Sequence, residues 1–380
     1  LGDLRMRLIP ATVMLAIFAV PTSADDIKTL QSVGEHSKGS AEAREARDSL
    51  ASGGAKNLLP LLKAFKGRSP LATNWLRSTF EAIADDEYKA GRSLPQEELL
   101  AFIDTTSESP AARRLAYEWL LKRKPELKEE LIPKMLLDPS PEFRRDAVAR
   151  LIDEASNASG DTATQLYSKA LSGAVHEDQV KTIAAALREA DVEVDLQKHF
   201  GFLASWKVIG PFDNRDMKGF PVAYPPEKKI DLSAEYEGQL GKVSWAKLAT
   251  DNDYGVVDIG EQIENYKGSV MYATTTFNSG KDAEVEFRLG TPNAWKLWVN
   301  GELVFEREEY HRSTRMDQYK MPVALRRGPN TILLKVCQNE QTQDWAQDYL
   351  FQLRVCDSTG SAILPSPASA DLSHNQSGAK

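Results

Sequence analysis

The feature that most constrains this chain is a set of segments near the C-terminus in which apolar and polar residues alternate. In one of them Val285, Phe287 and Leu289 are separated by charged residues. Such alternation is typical of a β-strand with one buried face. Asn300-Gly301 separates two further segments and is a strong hairpin signal, because a type I′ turn needs positive φ at both central positions. The sequence therefore predicts an antiparallel β-sandwich.

The preceding part of the chain follows a helical pattern. At 380 residues the length favours two or more domains, and apolar residues recur at helical spacing from about 41 to 196. Ser-Pro dipeptides at Ser69, Ser109 and Ser140 open three predicted helices, as expected when serine caps a helix and proline fills its first turn. Repeated helix pairs are the signature of an α-solenoid. The alternative is an irregular helical bundle.

The segment DPSPEFRRDAVARLI, residues 138–152, resembles a HEAT repeat. The resemblance extends over about residues 40–195 and implies stacked helix pairs that offer a surface to protein partners. It implies no chemistry. Arg113-Arg114 and Arg144-Arg145 hold equivalent places in two repeats, and we expect them to form an exposed or turn-contacting ladder.

A second resemblance lies in the C-terminal part. WKVIGPFDN, SVMYATTTF, KLWVNGELV and LRRGPNTILLKV follow one another in order, and together they resemble a module of large exported bacterial proteins. Its core is similar to the galactose-binding-like jelly roll, the fold of many carbohydrate-binding modules. The resemblance covers about residues 200–358 and implies a carbohydrate or a glycan-bearing protein as partner, although this fold serves many purposes.

One departure from that module concerns metal binding. Related modules often carry an acidic turn before the Trp-x-Asn-Gly hairpin, whereas this chain has Gly-Thr-Pro-Asn-Ala at 290–294. Ca²⁺ prefers several hard oxygen ligands, and the paired carboxylates are missing here. We therefore expect no cofactor and no metal. A structural Ca²⁺ is the alternative, and no motif supports it.

The candidate ligand-binding residues are three aromatic residues and one arginine, all in predicted loops. Apolar sugar faces stack on flat rings while polar neighbours fix the hydroxyls. Tyr310, His311 and Arg312 follow the Asn-Gly hairpin, and Trp345 lies in the long loop 338–348. The alternative for Tyr310 and Trp345 is packing in the core.

The chain carries no sequence motif of a catalytic site. Its five histidines are not placed in HExxH or another metal spacing, and neither a GxSxG elbow nor a P-loop is present. We therefore expect a protein that is not an enzyme, with no catalytic residues. Paired carboxylates of a glycoside hydrolase meet in space and leave no such motif.

The N-terminus has the pattern of a secretory signal peptide, predicted over residues 1–24. Arg5 and Arg7 precede an apolar run of 13 residues, 8–20, and cleavage is expected after Ala24. A membrane anchor is the alternative, but the run is shorter than the roughly 20 residues that a spanning helix needs. The protein is therefore expected in the periplasm or outside the cell, without a membrane span after cleavage.

The net charge limits the classes of partner that this chain can bind, and its two cysteines raise the question of a disulfide. A formal net charge of −8 argues against nucleic-acid binding, which needs a basic face. Cys337 and Cys356 each close a predicted strand, on the alternation phase of the polar residues Lys335 and Arg354. In an oxidising compartment this pair could form a disulfide, and the alternative is two buried thiols.

These observations predict an exported, non-catalytic binding protein of α + β class. Helical repeats over 25–199 would dock another protein, and the β-sandwich over 200–358 would bind a carbohydrate or a glycan-bearing partner. No Gly/Ser-rich linker separates them, so we expect the last helix to dock on the strands. Residues 359–380 form a predicted disordered tail. The alternatives are a structural or assembly role without a sugar ligand, and an accessory role in a glycoside hydrolase system.

Overall fold

The computed structural model describes residues 23–34 and 38–367. It has mixed α + β structure, with helices first and antiparallel sheets after them. The chain divides into two compact units, Leu1–Lys134 and Met135–Lys380. The predicted signal peptide lies outside the described residues except for its last two positions, at which the first helix begins.

The first unit is helical. Its helices start where the sequence predicts, because α4 and α6 begin at Pro70 and Pro110, and the Ser69 hydroxyl accepts a hydrogen bond from the Ala72 amide at 3.2 Å. Leu76 and Phe80 belong to the buried stripe of α4. The helices are α1 (Ser23–Gln31), α2 (Ser40–Ser52), α3 (Leu58–Lys63), α4 (Pro70–Lys89), α5 (Gln96–Asp104), α6 (Pro110–Leu121) and α7 (Leu127–Leu131).

The second unit begins with four more helices and continues into strands. A further short helix, α12 (Pro225–Lys228), lies between the first two strands. The helices before the strands are α8 (Pro141–Ser156), α9 (Gly160–Gly173), α10 (Glu177–Glu189) and α11 (Leu196–Phe200). The strands are β1 (Ser205–Asp213), β2 (Glu235–Gly238), β3 (Gly241–Ser244), β4 (Ala246–Ala249), β5 (Val257–Asp258), β6 (Ser269–Ser279), β7 (Ala283–Gly290), β8 (Ala294–Val299), β9 (Glu302–Arg307), β10 (Tyr319–Leu325), β11 (Gly328–Gln338) and β12 (Leu350–Cys356).

The paired arginines behave alike in the two units. Arg113 and Arg144 are buried, and each donates from Nε to a carbonyl oxygen ahead of its own helix, that of Ile103 at 2.6 Å and that of Asp138 at 3.2 Å. Arg113 therefore contacts the end of α5, and Arg144 contacts the loop before α8. The second forms an ion pair with a carboxylate, Arg114 with Glu118 and Arg145 with Asp178.

The strands form two main antiparallel sheets that share a core. One has the order β4-β1-β6-β11-β8-β9 and the other β10-β7-β12-β5, while β2 and β3 pair separately. Side chains of both sheets meet in one apolar cluster, which includes Leu297 and Leu334 from the first sheet and Phe287 from the second. The predicted hairpin is confirmed, because Asn300 and Gly301 have φ of 54° and 87°.

The last helices pack on the sheets, as the sequence predicts. Phe200 and Phe202 lie in a core cluster with residues of α8 to α11, and Tyr254 packs against it. The chain then pairs with β12, where the Val355 amide donates to the Gly201 carbonyl at 2.9 Å. The helices α8 to α11 and the sheets therefore close one another's apolar surfaces.

A buried ion cluster reinforces this joint. Arg354 on β12 has no exposed surface and donates to both carboxylate oxygens of Asp317, at 2.6 and 2.7 Å. It also donates to the Phe200 carbonyl at 3.1 Å, and Arg288 donates to Asp317 at 2.7 Å. Burial tends to raise the pKa of Asp317, but the hydrogen bonds and charges of the two arginines hold that pKa below its usual value.

A second buried ion pair fixes residues 214–232, here named the cover segment, on the outer face of the six-stranded sheet. Lys335 on β11 has no exposed surface. Its ammonium group donates to the carbonyl oxygens of Phe220 and Val222 at 2.9 and 2.7 Å, and to the Glu227 carboxylate at 2.9 Å. The Tyr272 hydroxyl donates to the same carboxylate oxygen.

The two cysteines are free and buried, so the disulfide alternative does not hold. Cys337 lies on β11 in the apolar cluster outside the six-stranded sheet, whereas Cys356 lies on β12 in the other sheet. The shared core separates the outer faces of the two sheets. Burial raises the pKa of the Cys337 thiol to about 12 and that of Cys356 to about 11.

The tail prediction is wrong for its first residues. After Asp357 the chain turns back, Ala362 forms a β-bridge with Cys356, and the Ile363 amide donates to the Val355 carbonyl at 3.0 Å. Backbone pairing with β12 and an apolar contact by Ile363 hold this stretch in place. Residues 368–380 lie outside the described residues.

Candidate functional site

Three loops meet at one end of the six-stranded sheet because β1, β9 and β11 end at the same edge. Asp213 and Gln338 are both paired with Ser269, the first residue of β6. The loops that follow these strands enclose an open depression of about 650 Å³. It is lined by Met217, Tyr310, His311, Asn339, Glu340, Gln341 and Trp345. Three of the four predicted ligand-binding residues are therefore brought together.

Trp345 is held with its indole ring in solvent. It lies in a short 3₁₀ turn, Asp344–Ala346. Ala346 is buried, and its carbonyl accepts a hydrogen bond from Lys267 Nζ at 2.8 Å. The Trp345 side chain is 62% exposed. The ring of His311 meets it edge-on, with the centroids 5.3 Å apart and the planes at 87°. A fixed turn thus presents a flat apolar surface at the mouth of the depression.

His311 is fixed by an amide. Its Nε2 lies 2.7 Å from Asn339 Oδ1, and the Gln341 backbone amide donates to the same oxygen at 3.1 Å. Because an amide oxygen can only accept, Nε2 of His311 donates this hydrogen bond. The Asn339 amide group donates in turn to Gln341 Oε1 at 3.0 Å. The wall beside Trp345 is therefore a network of neutral amides.

Tyr310 belongs more to the floor than to the rim. It packs against the apolar cluster outside the six-stranded sheet, and its hydroxyl accepts from Asn214 Nδ2 at 3.2 Å. Burial raises the pKa of Tyr310, so the hydroxyl keeps its proton. Asn214 is itself buried and donates to the Gln338 carbonyl at 2.9 Å. Tyr310 therefore ties the floor to the cover segment.

Arg312 does not take part in the depression. Its backbone amide donates to the Pro292 carbonyl at 3.0 Å, and its Nε donates to Glu309 at 3.0 Å. The predicted role of Arg312 therefore has no geometric support. Sequence reasoning missed Met217, Asn339, Glu340 and Gln341, and the polar run after β11 was the one available signal for the last three.

The charged groups at the rim are mostly paired. Arg215 donates to both oxygens of Asp213, at 2.8 and 2.7 Å, and these bonds lower the pKa of Asp213 to about 2. Lys218 lies 2.9 Å from Asp216. Glu340 accepts a hydrogen bond from the backbone amide of Asp216. The depression thus combines an exposed ring, neutral amides and a single carboxylate.

Over residues 23–34 and 38–367 no group of three or more His, Cys, Asp or Glu side chains is placed to hold a metal ion. No helix of these residues is both long and apolar enough to cross a bilayer.

Comparison with protein-family profiles gives no match, and comparison with curated proteins gives none either. Among solved structures, a β-glucosidase from Kluyveromyces marxianus in complex with glucose is 12% identical and matches 40% of this chain with a TM-score of 0.26. A GH31 α-xylosidase from Xanthomonas citri is 13% identical over 41% of the chain, with a TM-score of 0.20. A GH26-CBM35 β-(1,4)-mannanase from Podospora anserina is 12% identical over 30%, with a TM-score of 0.16.

The matched parts are also a small share of these three proteins. The chain spans 15%, 16% and 26% of the length of these three proteins. At such TM-scores the likenesses carry no argument about function. This chain is thus similar, over a minor part of their length, to three carbohydrate-active proteins.

Proposed function

We propose that this protein is an exported, non-catalytic binding protein whose sheets form a galactose-binding-like β-sandwich that holds a carbohydrate or a glycan-bearing partner. The observation that carries this proposal is the exposed indole of Trp345 above a polar depression. An exposed large aromatic side chain on a fixed turn lacks the burial that normally accounts for such a residue.

The chemistry of the depression suits a sugar. A pyranose ring has an apolar face that can stack on an indole and hydroxyl groups at its edge that need donors and acceptors. The amides of Asn339 and Gln341 lie on the His311 side of Trp345. A flat apolar surface and neutral hydrogen-bonding groups therefore lie side by side.

For the helical part we propose HEAT-like repeats that dock another protein. Helices α4, α6 and α8 start with the same Ser-Pro step, and Arg113 and Arg144 each donate to a backbone carbonyl of the chain before their own helix. Recurrent local contacts of this kind are expected in stacked repeats. The exported location is proposed from the N-terminal sequence pattern alone.

Replacing Trp345 with alanine is expected to weaken glycan binding at least about tenfold, because the stacking surface is lost. The purified protein would be screened against a panel of polysaccharides and glycans, and the best ligand titrated by calorimetry. The melting temperature should change little, since Trp345 is exposed and surface substitutions usually shift stability by less than about 0.5 kcal/mol.

The matched control is Leu303→Ala on β9, which removes an exposed apolar side chain from a strand that is not part of the depression. It should leave glycan affinity unchanged. If the wild-type protein binds no glycan in the panel, the carbohydrate proposal fails and an assembly role without a sugar ligand takes its place. A fall in the melting temperature of Trp345→Ala would assign Trp345 to packing.

A further inference from the structure

Glu340 has a special place in the depression. Among the seven lining residues it is the one with a carboxylate, and its neighbours are a tyrosine, a histidine, two amides, a methionine and a tryptophan. Its Oε1 accepts from the backbone amide of Asp216, which fixes the side chain against the cover segment. This hydrogen bond therefore holds the carboxylate at the lining.

The two cations of the cover segment nearest in sequence to Asp216 bind other carboxylates. Arg215 is held by two hydrogen bonds from its guanidinium to Asp213, and Lys218 is paired with Asp216. Among the residues that the structure describes, Glu340 forms no ion pair of its own. The hydrogen bond with Asp213 raises the pKa of Arg215 most, and the charge of Glu340 contributes to that rise. Arg215 therefore offsets part of the negative charge of Glu340 from a distance, but no cation is bound to the Glu340 carboxylate.

We propose that Glu340 makes this site selective for uncharged and cationic sugars and against sugars that carry carboxylate or sulfate groups. This inference rests on the proposed carbohydrate-binding function and names its ligand class. Like charges a few ångströms apart repel, and the repulsion is stronger beside a protein surface than in bulk water. A uronic acid or sulfated sugar stacked on Trp345 would bring its charge close to Glu340, whereas an amino sugar would be attracted.

The test uses pairs of glycans that share a backbone and differ in charge: polygalacturonate and its methyl ester, sulfated glycans and their desulfated forms, sialylated glycans and their desialylated forms. Within each pair that binds, the uncharged member is expected to bind about tenfold more tightly at low ionic strength. Equal or tighter binding of the anionic member overturns the inference and leaves the binding function standing. If no glycan binds, the proposed function itself has failed.

A substitution assigns the preference to Glu340. Glu340→Gln keeps an oxygen that accepts from the Asp216 amide, and it is expected to raise affinity for the anionic member until the pair differs by less than about twofold. Affinity for the uncharged member and the melting temperature should stay as in the wild type. The control Glu302→Gln makes the same change of charge at an exposed position on β9 and should leave the tenfold preference intact.

Salt gives a second readout that a structural role of Glu340 would not produce. Raising the ionic strength shortens the screening length from about 10 Å at 0.1 M to about 3 Å at 1 M. The preference of the wild-type protein should shrink over this range, whereas Glu340→Gln should show no such dependence. A wild-type preference that Glu340→Gln retains, or that salt leaves unchanged, overturns the inference.

Discussion

Replacing Asp317 with alanine is expected to lower the free energy of unfolding of the unit that contains the sheets by about 3–5 kcal/mol, the usual cost of removing one partner of a buried ion pair. Arg354 would keep its charge without exposed surface and would lose the two hydrogen bonds to the Asp317 carboxylate. Arg288 still has Glu286 as a partner, so most of the loss falls on Arg354. Urea unfolding followed by circular dichroism would measure the change.

Asp317→Asn separates charge from shape. Asparagine tolerates the φ of 60° at this position and keeps one acceptor, so its loss of stability should be smaller than that of alanine. The folded pKa of Asp317 lies below its usual value. The stabilisation is therefore complete above the unfolded pKa of about 3.9 and is lost as the pH falls from there through the folded pKa.

The wild-type advantage over Asp317→Asn should accordingly be constant from about pH 5.5 to pH 8 and shrink below about pH 4. Thermal melts across this range would show it. An advantage that grows towards acid pH would mean that the Asp317 carboxylate does not stabilise Arg354.

Replacing Lys335 with methionine is expected to cost about 3 kcal/mol or more, although methionine preserves most of the side-chain volume. The carbonyl oxygens of Phe220 and Val222 would lose their donor, and Glu227 would keep its charge beside the Tyr272 hydroxyl. These groups hold the cover segment on the sheet. Equilibrium unfolding in urea would measure the loss.

Limited trypsin digestion would locate the effect of this substitution. The cover segment contains Arg215, Lys218, Lys228 and Lys229, and cleavage there should be faster in Lys335→Met than in the wild type. Lys247→Met changes an exposed lysine of the same sheet and should lie within about 0.5 kcal/mol of the wild type. If Lys335→Met unfolds at the wild-type midpoint, apolar contacts alone hold the cover segment.

The local signals in the sequence were reliable where chain neighbours decide the structure. Alternation predicted the strands, Asn300-Gly301 predicted its hairpin, and Ser-Pro steps predicted helix starts at Pro70 and Pro110. In each case the conformation depends on backbone preference and on one buried face, and both are visible within a few residues.

What covers a strand could not be predicted in this way. Lys335 and Arg354 lie on the polar phase of their strands and would be expected in solvent, but both are fully buried. The groups that cover them come from distant parts of the chain, the cover segment for Lys335 and the end of α11 for Arg354. Pairing across more than 100 residues leaves no local pattern.

The same limit applies to the candidate site. Tyr310, His311 and Trp345 were predicted because flat rings in loops can stack on sugars. Glu340 and Met217 are ordinary surface residues until strand order brings their loops together. The loops after β1 and β11 lie close together because both strands are neighbours of β6 in the sheet. The sequence therefore shows which residue types are candidates for a site, but it does not show which residues become neighbours in space.

The contacts between helices α8 to α11 and the sheets determine which fragment of this chain can be transferred to another protein with its packing intact. A fragment that starts after residue 200, where the sequence changes from helix to strand, would leave Phe202 and Tyr254 uncovered. It would also lack the Phe200 carbonyl, one of the two carbonyls that accept from Arg354. A fragment that starts near Met135 keeps these contacts. In a gene fusion or a domain graft, α8 to α11 would accordingly have to be transferred together with the strands.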